Sequence, residues 1–257
     1  MSILTKIENG VAYITLNRPE KYNSVNRELA LSFQAFLDEC AANDAVRAVL
    51  LTGSGKGFCA GQDLGEVVAE HGPKITDIVS EHYNPMIEKI VRLQKPVICA
   101  VNGVAAGAGA NIALACDIVF AAESASFIQA FSKIGLIPDS AGTYFLPRLI
   151  GRQKAMALMM LGDKVGAKEA ESLGMIYKAV ADDQLLETAT KTAIQLSQMP
   201  TVALAYTKMA LNTSETNNLT EQLALEGDFQ KICSETEDFK EGINAFLEKR
   251  APVFKGK

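Results

Sequence analysis

Apolar and polar positions alternate in two registers along this chain. Val11 to Leu16 is a short β-rich run that stops at Asn17-Arg18-Pro19, a loop signal. From Glu28 to Ala42 the apolar positions Leu29, Leu31, Phe33, Phe36, Leu37 and Cys40 recur at helical spacing. Val46 to Thr52 is a continuous apolar run of strand length, closed by Gly53-Ser54-Gly55-Lys56-Gly57. Residues 76–94 read as helix, Val97 to Val101 as strand, Ala110 to Cys116 as a short buried helix and Ile118 to Ala122 as another buried strand. Short apolar strands that alternate with helices need parallel crossovers, so the expected class is α/β. No fixed-period repeat is visible.

From Gly142 onward the pattern is mostly helical. Helices are expected over Arg152 to Leu161, Ala167 to Leu173 and Asp182 to Leu196, then over 201–212, 219–233 and 237–249. An amphipathic all-helical tail after an α/β core packs on that core or on a partner subunit more readily than it stands free. The expected division is therefore a core over 1–197 and a helical region over 198–257.

Composition removes several function classes. Thirty Asp and Glu against 25 Lys and Arg give a net charge of −5. A mildly acidic chain has no electrostatic reason to grip nucleic acid or an anionic membrane. Trp is absent, and no aromatic platform for bases stands out. No charge occurs from Pro96 to Cys116, which imitates a membrane span. The turn residues Asn102, Gly103, Gly107 and Gly109 inside it favour two short buried elements joined by a turn. The five cysteines are odd in number and lack CxxC spacing, so they read as reduced core thiols of a cytoplasmic protein. The N-terminus lacks a basic-then-apolar signal pattern. HExxH, GxSxG, Walker A and Cys/His metal spacings are all missing. Glu66, Glu70 and His71 read as a solvent-facing charged loop.

Three segments could carry chemistry. Gly57 to Leu64 is a glycine-bearing loop after a strand: either a plain turn or a place where bare N–H groups meet a ligand. Asn102 to Asn111 joins a strand to a helix. Its Gly107-Ala108-Gly109 is only a weak dinucleotide fingerprint, because Ile112 stands at the third glycine position. It could equally pack tightly against other backbone, or present a helix N-terminus to an anion. Two such loops, each giving one N–H to the same oxygen, would form an oxyanion hole. The third segment is Ile134 to Thr143, where Asp139 is a lone carboxylate. It either caps the next helix or acts as a general base in a water-poor pocket that raises its pKa.

Taken together, Leu16 to Lys21, Phe58 to Leu64, Lys95 to Gly103, Cys116-Asp117-Ile118 and Glu241 to Arg250 resemble the crotonase (enoyl-CoA hydratase/isomerase) superfamily over essentially the whole chain. The resemblance implies a ββα spiral core with a helical C-terminal trimerisation region. It implies an acyl-CoA thioester substrate, a homotrimer or dimer of trimers, and no metal or redox cofactor, coenzyme A being part of the substrate. It assigns the backbone N–H groups of Ala60 and Ala108 to the oxyanion hole. It places Gln62, Asp63 and Leu64 in the loop that holds the adenine end of coenzyme A, with Lys21 as a phosphate contact or simply a solvated lysine. Family hydratases add water with two glutamates, and those positions here hold Asn111 and Phe131. Hydration is therefore not expected. Asp139 occupies a position that family isomerases use, and a single base suits a proton shuttle. Asn111, Phe131 and Tyr83 are expected either to shape the acyl pocket or simply to pack. His82 to Pro85, Asn102 to Ala110, Ala130 to Asp139 and Ser214 to Asn217 are similar to isomerases acting on ring epoxides of aromatic acyl-CoA thioesters. A Δ3,Δ2-enoyl-CoA isomerase uses the same parts. A dinucleotide-dependent oxidoreductase and a non-catalytic CoA-ester-binding protein are the rivals from other classes.

Overall fold

The computed structural model describes residues 1–257. The apolar runs become the strands of a six-stranded sheet: β2 (Val11–Leu16), β3 (Ala48–Gly53), β5 (Val97–Val101) and β7 (Ile118–Ala122) lie side by side. They pair in parallel, as continuous apolar runs require when both sheet faces are covered. Every residue of β5 is buried. β1 (Ile3–Glu8) extends one edge antiparallel to β2, and β10 (Lys178–Val180) extends the other. β1 had no sequence signal because Thr5, Lys6 and Glu8 face solvent on an edge.

The three-residue strands β4 (Gly57–Cys59), β6 (Val104–Ala106), β8 (Ser126–Ile128) and β9 (Lys164–Gly166) build a second, four-stranded sheet. They are too short for periodicity to reveal, and two of them lie inside segments that read as glycine loops. Successive turns of the chain therefore give one strand to each sheet: β3 then β4, β5 then β6, β7 then β8. This is a structural repeat with no fixed sequence period, because the three turns begin at the unevenly spaced residues Ala48, Val97 and Ile118.

Helix α1 (Arg27–Ala42) starts where the Asn26 side chain accepts the Leu29 N–H, and it buries Leu29, Phe33, Phe36, Leu37 and Cys40. At its far end the buried Lys95 ammonium donates to the carbonyls of Cys40 (2.5 Å) and Asn43 (2.9 Å). A four-residue helix α2 (Leu64–Val67) follows β4. The helix expected over 76–94 divides into α3 (Ile75–Asp77), a π-helical turn over Ile78–Tyr83, and α4 (Asn84–Arg92), with Pro85 in the first turn of α4. The wider π turn leaves both His82 and Tyr83 buried. The uncharged stretch 96–116 resolves into β5, β6 and the wholly buried α5 (Ala108–Leu114). No helix is long and apolar enough to cross a membrane.

After α6 (Gly142–Ile150), α7 (Arg152–Leu161) and α8 (Ala167–Ser172), helix α9 (Leu185–Ser197) lies across β3, β5 and β7. The chain then enters α10 (Thr201–Ser214), α11 (Leu219–Ser234) and α12 (Glu237–Glu248). Arg47 ties this tail to the core, donating to the Thr201 hydroxyl and the Phe254 carbonyl. Lys208 does the same through Asp117 and the Ile90 carbonyl. α11 buries none of its residues.

Candidate active site

Enclosed by the loop after β4, the π turn, the start of α5 and residues 130–139 lies an apolar cavity of about 160 Å³. Ile75, Ile78, Val79, Phe131, Ile134 and Leu136 supply its greasy wall, and Asp139 is the single charged side chain in the lining. Neither histidine lines it, and no cysteine does.

The two glycine-bearing loops meet at this cavity. An ideal Cβ on Gly61 would lie 2.9 Å from the Ala106 carbonyl and 3.4 Å from the Ala108 nitrogen, and Gly61 has φ +85°. Only glycine meets both demands. Ala108 opens α5, and its N–H has no acceptor within the protein.

Ala60 does not supply the second free donor. Its N–H is spent on the Tyr22 carbonyl at 2.9 Å, which closes the loop onto the turn after Pro19–Lys21. The free N–H on this loop is that of Gln62. Gln62 forms a parallel bridge with Val25, in which Val25 donates to Gly61 (2.7 Å) and Asp63 donates to Val25 (2.9 Å). In that pattern the middle residue turns its own N–H to the opposite side. That N–H accordingly has no acceptor in the chain, and Gln62 lines the cavity.

Asp139 also lines the cavity, and it sits on a turn rather than on a helix cap. The helix after it, α6, is preceded by Ala141 and has no side-chain cap. The capping alternative therefore fails. Ser140 (φ 50°) and Ala141 (φ 57°) both adopt the left-handed conformation, a cost the surrounding structure must enforce. Burial raises the Asp139 pKa above the usual carboxylate value, and the Ser140 hydroxyl, donating to Oδ1 at 2.8 Å, opposes that rise.

The other expected residues divide. Tyr83, Phe131 and Leu64 line the cavity. The Tyr83 hydroxyl donates to Gln62 Oε1 at 3.0 Å, and burial holds the phenol neutral by raising its pKa. Gln62 Nε2 in turn donates to Glu66 at 3.1 Å, so Glu66 is part of the wall's support and not merely solvent-facing. Asn111 does not shape the pocket. It is 1 % exposed, lies beneath the lining, and donates from Nδ2 to the Asp139 backbone carbonyl at 2.8 Å. Asp63 also turns away: its carboxylate takes the Arg18 guanidinium at 2.7 Å and caps α2 through the Gly65 N–H at 3.0 Å. The Arg18 hydrogen bond holds the Asp63 pKa below the ordinary value. Lys21 is exposed and outside the lining. Gln129, which donates to Asn111 Oδ1 at 2.8 Å, had no signal in the sequence. The segment 102–111 contains β6, so it does not form a dinucleotide-type strand–loop–helix turn.

Two mostly parallel layers wound as one spiral, with paired glycine loops over an apolar cavity, define the crotonase fold, and the sequence pattern of the enoyl-CoA hydratase/isomerase family matches residues 6–257. The chain belongs to that family and is an enzyme of it. It is 48% identical to the 1,2-epoxyphenylacetyl-CoA isomerase of Escherichia coli K12, covering 99% of this chain and 98% of that protein. It is 44% identical to a protein of Rhodobacter capsulatus named as a probable enoyl-CoA hydratase, over 100% and 98% of the two chains. Among solved structures, the enoyl-CoA hydratase of Bacillus anthracis superposes with a TM-score of 0.96 at 34% identity over the whole of both chains.

Proposed function

We propose that this enzyme is an acyl-CoA isomerase that converts ring 1,2-epoxyphenylacetyl-CoA to the oxepin thioester. The observation that carries this reading is that Asp139 is the one charged side chain in an otherwise apolar lining. Adding water across a double bond calls for a second proton-transferring carboxylate, and the positions that hold glutamates in family hydratases, by the resemblance, carry Asn111 and Phe131 here. A single desolvated base suits moving a proton within one substrate. The 48% identity to a ring-epoxide isomerase supports the substrate class. So does size, since an apolar cavity of about 150 Å³ accommodates benzene.

The thioester carbonyl oxygen sits between the N–H groups of Ala108 and Gln62. Each donor is worth about 3–4 kcal/mol to the developing oxyanion. Asp139 takes the proton from the carbon next to the thioester, and the electron pair moves onto the carbonyl oxygen as an enolate. The carbon–carbon bond shared by the epoxide and the six-membered ring breaks as the ring π electrons shift, and both C–O bonds are kept, so the oxygen becomes part of the seven-membered ring. Asp139, whose acid proton exchanges with water, then protonates the far end of the conjugated system, so the product is an isomer of the substrate and no electron acceptor is consumed. Phe131 packs on the ring, and Leu64 and the loop before it lie towards the coenzyme A end. We further propose that residues 198–257 join the chain into a homotrimer or dimer of trimers, because α11 and α12 leave Leu219, Leu223, Phe246 and Leu247 exposed.

The test is deuterium uptake from D2O, followed by mass spectrometry, with the ring epoxide thioester and with 3-hexenoyl-CoA. Asp139-dependent turnover of the epoxide, faster than of the alkenoyl ester, is expected. Turnover of the alkenoyl ester alone would move the assignment to a Δ3,Δ2-enoyl-CoA isomerase. Binding of both esters without exchange would leave a CoA-ester-binding protein.

A further inference from the structure

Beneath the cavity lining runs a line of two buried amides whose side-chain hydrogen bonds reach the lining only at the Asp139 backbone carbonyl. Gln129, which directly follows β8, is 2 % exposed and donates from Nε2 to Asn111 Oδ1 at 2.8 Å. Asn111 donates from Nδ2 to the Asp139 carbonyl at 2.8 Å, across 28 residues of sequence. The same carbonyl also accepts the Gly142 N–H at 2.9 Å, so the turn carrying the carboxylate is pinned from two sides. Gly142 has no room for a side chain here, since a Cβ would come within 2.3 Å of Asn111 Nδ2. The left-handed Ser140 and Ala141 stand between these two anchors, and a strained pair persists only where its surroundings hold it.

Asn111 also lies one turn after Ala108 on α5, and residues three apart share a helix face. One rigid element therefore carries both the free N–H at the cavity and the group that grips the Asp139 turn. Burying two amides in this way costs desolvation that an apolar pair of the same size would avoid. The arrangement has to be explained by what it holds in place.

We propose that Asn111 and Gln129 are positioning residues for Asp139: they set the distance between its carboxylate and the oxygen held at Ala108, and they transfer no proton themselves. The inference rests on the reading of Asp139 as the base, and its test separates the two.

The experiment is a double-mutant cycle on Asp139→Asn and Asn111→Leu, with Gln129→Met as a volume-conserving second probe of the same line. The readout is deuterium uptake with the ring epoxide thioester and 3-hexenoyl-CoA, resolved into kcat and KM. Displacing a base by an ångström costs about a hundred-fold, so Asn111→Leu should lower kcat by about ten- to a hundred-fold with KM little changed. Gln129→Met should act in the same direction and more weakly. The double variant should be no slower than Asp139→Asn alone, because a residue that works only through Asp139 has nothing left to position. Wild-type kcat in Asn111→Leu, or losses that multiply in the double variant, overturns the positioning role.

If wild type shows no turnover, or Asp139→Asn keeps it, the reading of the base fails instead. Positioning is then decided by carboxyl ¹³C NMR titration of Asp139. A midpoint that moves toward the ordinary aspartate value in Asn111→Leu upholds it, and an unchanged midpoint overturns it. Should Asn111→Leu fail to fold, Gln129→Met carries both readouts.

Discussion

Two aspartates, one in the cavity lining and one in the loop beside it, illustrate opposite uses of one side chain. Asp63 is bound into its loop by Arg18 and by the first turn of α2, and those partners keep it ionised. Asp139 has no cationic partner, is half-buried beside apolar walls, and has its pKa raised by that burial. The first carboxylate is held by charge and holds the loop. The second is held by its backbone carbonyl, and its carboxylate accepts only the Ser140 hydroxyl at Oδ1, which leaves Oδ2 without a partner for the proton the proposed mechanism requires. What separates scaffold from reagent here is which atoms of the residue are already engaged.

The sharpest way to break this contrast is Asp139→Asn. It keeps the shape and removes the base, so turnover should fall by about 10²–10⁴-fold while ester binding changes little. Steady-state kinetics beside a binding titration will check this, and undiminished turnover would end the assignment. Next in size, Gly61→Ala should disable the loop itself. It places a methyl 2.9 Å from the Ala106 carbonyl at a φ of +85°, and a crystal structure or a drop of about ten-fold or more in kcat/KM would report the displaced Gln62 donor.

The two carboxylates should also part in their pH behaviour. With Asp139 as the proposed base, activity needs it ionised, so the acid limb of kcat/KM should lie above the ordinary aspartate value and vanish with Asp139→Asn. For stability the signs are opposite. The native state holds the Asp139 proton more tightly than the unfolded chain, so its contribution declines as pH rises through its raised native pKa. Asp139→Asn should accordingly raise the melting temperature at neutral pH. The depressed Asp63 instead contributes stability above the unfolded pKa that is lost as pH falls through its native value. Asp63→Asn should cost about 1–2 kcal/mol in a denaturant melt, with a far smaller effect on the chemical step than Asp139→Asn. A deletion of similar size, Lys95→Met, should cost about 2 kcal/mol by leaving the α1 carbonyls unmet, and should leave the pH profile of activity alone.

Much of the frame was legible from the sequence. The apolar runs at β2, β3, β5 and β7 and the amphipathic α1 follow from periodicity, because burial on both sheet faces or on one helix face writes itself directly into local composition. The three-residue strands of the second sheet were not legible, since three residues define no period and their pairing partners lie far along the chain. Asp139 stood out as a lone acid in an apolar run, but nothing local could say whether it capped a helix.

The sequence by itself thus determined the family, the α/β class, the small-residue loops and the lone acid between apolar residues that the proposed mechanism uses. Tertiary structure alone decided which atoms of those segments remain available. Ala60 loses its N–H to Tyr22, Gln62 keeps its own free, Asp63 is absorbed by Arg18, and Asn111 leaves the pocket wall to grip the turn of Asp139. The physical reason is that residue type sets what a group can donate or accept. Which donors and acceptors are already satisfied depends on partners brought together only when the two sheets wind into one spiral.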